Sequence, residues 1–108
     1  MSTRKLDQQE WGSYFDRITK SLTHEHMPIY TEVRVMEQGV GSQTETSWTP
    51  LIGITFNYRA NTLEVATDPI DHMIPEPSEI YVMEDAQGLP TTVEVLSAET
   101  KQVIELRY

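Results

Sequence analysis

The chain has 108 residues, 38% hydrophobic and 23% charged, which fits one globular domain and excludes a disordered or membrane-embedded composition. Its formal net charge is −9 and it contains no cysteine. That balance argues against nucleic acid and anionic membrane surfaces as partners, excludes a disulfide framework and sets a cytoplasmic location as the expectation. No apolar run approaches the ~20 residues that cross a bilayer, and Met1–Asp7 has no apolar core of the signal-peptide kind.

Residues 1–6 are expected to be disordered. The first element is an amphipathic helix over about residues 7–24. Asp7 followed three residues later by Glu10 reads as a capping box, and Leu6 with Trp11 reads as a hydrophobic staple. Trp11, Tyr14, Phe15, Ile18 and Leu22 then recur at helical spacing, with Asp16, Arg17 and Lys20 mainly on the other side. Gly12 inside this helix is a weakness of about 1 kcal/mol relative to alanine. Pro28 ends the helix by Met27.

From residue 28 the period changes to two, and the sheet is predicted over 28–108. Ile29, Thr31, Val33 and Val35 alternate with Tyr30, Glu32, Arg34 and Met36. A turn at Gly39 and Gly41 leads to a short polar strand at Gln43–Trp48, which Pro50 interrupts or edges. Ile52, Ile54, Phe56 and Tyr58 are predicted to line one face of the next strand. Asn61 suits a left-handed turn before Leu63 and Val65. Asp68–Pro77 holds three prolines without alternation and is predicted to be a rigid shaped loop, with Ile70, Met73 and Ile74 plugging the core. Two hairpins follow: Ile80 and Val82 turn at Gly88 into Val93 and Val95, and Ser97–Lys101 turns into Ile104, Leu106 and Tyr108. The fold class is therefore α+β, a single domain over 1–108. One helix packs on a strongly curved antiparallel sheet of six or seven meander-connected strands.

Six strands at ~4.8 Å make a sheet about 29 Å wide, whereas a helix with its side chains is about 10 Å across. One helix cannot cover that face. In addition, Tyr30, Met36, Tyr81, Met83 and Leu96 fall opposite the predicted core. Either the sheet curls into a partial barrel or a second chain covers the remainder. Curling is the expectation, and the five outer apolar residues are the candidate interface of a homodimer or protein partner.

Charge is unevenly placed. Residues 1–26 carry four basic and four acidic side chains, while 27–108 carry thirteen acids against four bases. A docking surface for a basic partner, or a nucleic-acid mimic, is the functional reading of that excess; a solubilising surface is the plain one.

Few residues suggest chemistry. Asp68, Asp71 and His72 are the candidate ligand-binding set, since a carboxylate beside a histidine can fix its tautomer and a second can add a ligand. Adjacent residues on extended chain point apart, however, which favours a structural role. His24-Glu25-His26 sits at a helix end, where imidazoles suit the last carbonyls better than a metal. Gly39-Val40-Gly41 precedes a strand, not the helix that a phosphate loop needs. The serines lack a nucleophile elbow. No catalytic residue, metal site or cofactor is assigned.

Trp11 with Phe15-Asp16 on a helix, the Glu32-Val33 strand, Asp71-His72-Met73-Ile74 with a following proline, and the closing hairpin resemble a family of small uncharacterised bacterial domains of unknown function. The likeness spans most of the chain and implies a bacterial, cytosolic setting, with no site residue to carry over. The polar Gln43–Trp48 stretch departs from the apolar strand expected there. The reading is a non-enzymatic protein-interaction or accessory domain; the alternative is a small-ligand or metal-binding domain using residues 68–77.

Overall fold

The computed structural model describes residues 2–24, 29–37, 41–68, 70–98 and 100–108. Glu10 takes the Asp7 N–H on its carboxylate at 3.0 Å, and its own N–H reaches the Asp7 carbonyl at 2.9 Å. This closes a single 3-10 turn, Gln8–Glu10, that runs into helix α1, Trp11–His24. The staple is in place: Leu6 and Trp11 are both buried, and the indole Nε1 donates to the Leu6 carbonyl at 3.4 Å. Tyr14, Phe15 and Ile18 complete the buried stripe.

Among the described residues eight strands follow the order β1-β6-β7-β8-β2-β3-β4-β5, all antiparallel: β1 Ser2–Lys5, β2 Tyr30–Glu37, β3 Gly41–Asn57, β4 Thr62–Thr67, β5 Asp71–Pro75, β6 Glu79–Glu84, β7 Pro90–Ser97 and β8 Thr100–Arg107. The connectivity is two meanders, β2–β5 and β6–β8, joined where β8 pairs with β2. Residues 2–5, expected to be disordered, form β1 on β6. Their sequence carries no alternation; Arg4 and Lys5 hold the strand through Glu84 and Glu79.

The short connection from β5 to β6 shows how far the sheet curls. Three residues, 76–78, can span at most ~14 Å. Yet β5 and β6 are six places apart in the sheet order, about 29 Å if it lay flat. The sheet therefore folds over on itself, and Ser97 Oγ donating to the Pro75 carbonyl at 2.6 Å marks where its two halves meet. A single core fills the curl. Val33, Val82, Val93, Val95 and Ile104 come from one half and Ile54, Leu63, Val65 and Ile74 from the other, with α1 packed among them.

Strand β3 departs furthest from the sequence reading. It runs unbroken through Pro50, because Pro50 pairs opposite Tyr30 at the end of β2, where β3 leaves β2 and begins to pair with β4. A register shift between Leu51 and Gly53 then reverses the alternation, so Ile52 is 57% exposed while Leu51 and Ile54 are buried. The residues past Pro50 have lost β2 as a neighbour, and α1 takes its place. Thr19 Oγ1 accepts the Ile54 N–H at 3.0 Å and lies 2.9 Å from the Ile54 carbonyl. Tyr58, also predicted to face the core, is half-exposed and reaches over the start of α1 instead.

Residues 71–75, predicted as loop, form the edge strand β5. Ile74 plugs the core as expected, but Ile70 and Met73 are exposed. Asn61 and Gly88 take positive φ in their turns, as the sequence implies.

Candidate functional site

Three places could carry a function: the proline-rich segment, the outer face of the sheet, and a cavity beside α1. In the first, β5 pairs Asp71 with Ala66 and His72 with Val65. Asp71 is exposed and its neighbour His72 lies on the opposite side of the strand, in register with the buried Val65. Asp68 precedes the strand and is exposed. The three therefore do not converge. Among the described residues no three His, Cys, Asp or Glu side chains gather in the manner of a metal site. His24-Glu25-His26 lies outside the described residues apart from the helical backbone of His24.

The outer face is set by the register. One row across the sheet runs Lys5–Tyr81–Glu94–Val103–Arg34, the next Glu79–Leu96–Lys101–Met36, and a third Thr3–Met83–Thr92–Glu105–Glu32. Tyr81, Met83, Leu96 and Met36 thus share one face with Val103, and Tyr30, 42% exposed, lies at its margin. Ion pairs lie between them: Lys5–Glu79 at 2.9 Å, Lys101–Glu94 at 3.5 Å, and Arg34 with Glu105 and Glu32 at 3.8 and 3.9 Å. Tyr81, Met83, Leu96 and Met36 are half-buried and Val103 is buried. Arg34 Nε is closed off from solvent with no hydrogen-bond partner among the described residues.

The cavity, about 490 Å³, lies between α1 and the β6–β7 hairpin and is lined by Arg17, Ile18, Ser21, Glu84, Leu89 and Tyr108 among others. Glu84 is held on both oxygens, by Tyr14 OH at 2.7 Å and Arg4 Nε at 3.3 Å. Burial, reinforced by the Glu84 carboxylate, pushes the Tyr14 phenol well above its ordinary range. Burial likewise pushes Tyr108 up to about 12, with Asp85 adding to it, and its hydroxyl donates to the Pro90 carbonyl at 2.6 Å. Both phenols stay protonated at neutral pH, so they donate hydrogen bonds and are poor proton-transfer groups. Sequence reasoning missed this cavity. Leu89-Pro90 directly after the turn glycine was the available sign, an apolar pair where a turn is usually polar.

The sequence profile of a family described as "Family of unknown function (DUF5335)" matches residues 2–108. An uncharacterized protein from the bacterium Aquifex aeolicus (strain VF5) is 29% identical over 109 residues, covering 99% of this chain and 94% of that protein. No solved structure matches the chain. No helix among the described residues is long and apolar enough to cross a membrane.

Proposed function

Since the chain belongs to DUF5335, whose function is unknown, we propose from its own geometry that it is a non-enzymatic interaction domain that pairs with a second copy through the outer face of β6, β7, β8 and β2. The observation that carries this is the register, which gathers the half-buried Tyr81, Met83, Leu96 and Met36 on a face that, among the described residues, neither α1 nor the curl of the sheet covers. Charge selects the occupant. Two copies at −9 each repel over most of their surface, but here Lys5, Arg34 and Lys101 locally offset Glu79, Glu94, Glu105 and Glu32. Exposed pairs of this kind add only about 0–1 kcal/mol each to stability. Their larger effect is to make this face close to neutral. A two-fold pairing would set the same patch against itself. The cysteine-free composition agrees with a cytoplasmic setting.

Sedimentation equilibrium tests the reading. A mass about twice 12.4 kDa is expected, falling to the monomer in Leu96→Lys and unchanged in Ile52→Lys, which lies off this face. A wild-type chain that stays monomeric at the highest soluble concentration would overturn it.

A further inference from the structure

Strand β5 ends the sheet order, so among the described residues one of its backbone edges has no neighbour. Two hydrogen bonds fix which groups lie on that edge. Thr67 N–H donates to the Ile70 carbonyl at 3.0 Å and Glu76 N–H to the Asn61 carbonyl at 2.7 Å, so residues 70, 72, 74 and 76 face β4. Asp71 and Met73 therefore present their N–H and C=O outward. At the far end Pro75 has no N–H, and its carbonyl already accepts from Ser97. The open part of the edge is the Asp71–Met73 stretch.

We propose that this edge receives an extended, basic segment of another protein as an added strand. Met73, 57% exposed, and Ile70, 51% exposed, flank the open amides and offer apolar contact to such a strand. Glu64 lies in register with Met73, and Asp68, Asp71 and Glu76 lie on or beside the same strand, with His72 within the stretch and Arg59 in the β3–β4 turn. Among the described residues none of these four carboxylates has an ion pair. Acids and prolines at a sheet edge guard against self-pairing. A second copy approaching edge to edge would set Asp71 and Glu64 against the same acids, whereas lysines or arginines alternating along a strand would meet carboxylates on that face. The edge thus rejects its own copy and accepts the opposite charge. It lies apart from the outer face of β6–β8 and stands or falls independently of that surface.

The test uses the full chain and a fluorescent peptide alternating lysine and valine, titrated by anisotropy. Two controls accompany it: the glutamate–valine counterpart, and the lysine peptide with alternate backbone nitrogens methylated. Binding by the first peptide alone, weakened roughly tenfold or more by Asp71→Lys with Glu64→Lys, supports the proposal. Met73→Pro, which removes one outward N–H, should abolish binding, and Met73→Ala should retain it should the proline variant fold poorly. Equal binding of the methylated peptide would show adhesion by charge alone and overturn strand addition. So would an absence of lysine-peptide binding, or a wild-type dimer that Met73→Pro dissociates, which would make the edge a self-pairing surface.

Discussion

The Tyr58 hydroxyl accepts the Gly12 N–H at 3.0 Å and lies 2.9 Å from the Gln8 carbonyl and 3.1 Å from that of Gln9, so one phenol ties down the first turn of α1. A Cβ on Gly12 would sit 2.8 Å from Cε2 of that ring. Helix propensity alone makes Gly12→Ala a gain of about 1 kcal/mol. We expect a net loss of about 1 kcal/mol in urea unfolding, because the ring must leave its three partners. In a Tyr58→Ala background the same substitution should turn stabilising, which a double-mutant cycle reads directly. Tyr14 gives a second prediction. Tyr14 and Tyr108 both titrate above the unfolded phenol, so the stability they contribute is present below pH of about 10 and is lost as pH rises through their folded values. Tyr14→Phe should cost about 1–2 kcal/mol at pH 7, from the lost bond to Glu84, and should flatten the fall of Tm between pH 9 and 12. An alkaline slope equal to the wild type's would refute the assignment.

At the level of elements, α1 acts as the missing neighbour of β3. Thr19→Val keeps the side-chain shape beside Gly53 but removes the hydroxyl that serves Ile54 N–H and C=O. A loss of about 1–3 kcal/mol is expected, with faster hydrogen exchange at the Ile54 amide; unchanged exchange there would show that α1 does not guard the strand. Acid acts on the entry to the same helix. The Asp7 N–H, and secondarily Arg4, hold the Glu10 carboxylate below its usual range, so its contribution is present above the unfolded carboxylate value and is lost as pH falls through the folded one. Glu10→Gln should therefore show a shallower decline in Tm below pH 5.

The capping box, the helical stripe and most strand faces were legible because each depends on residues a few positions apart. Asn61 and Gly88 were legible because few residues accept positive φ. What sequence could not reveal were events set by distant neighbours. Pro50 is harmless only because β2 ends opposite it, and Ile52 turns outward only because β3 changes partner there. The Asp71–Pro75 strand hid behind its prolines, since its missing donor falls where Ser97 supplies the contact instead. Asp71 and His72 looked like a pair in sequence, and strand geometry separates them.

For the molecule as a whole, the connections decide more than any single contact. The last strand, β8, lies inside the sheet, between β7 and β2, and is the seam between the two meanders. The first, β1, pairs with β6 some eighty positions away along the chain. During synthesis β2–β5 can pair as it emerges, yet β2 keeps an open edge until Thr100–Arg107 have left the ribosome. Folding should accordingly be slow and all-or-none, and a nascent chain halted before Thr100 would hold two half-sheets without the strand that pairs them.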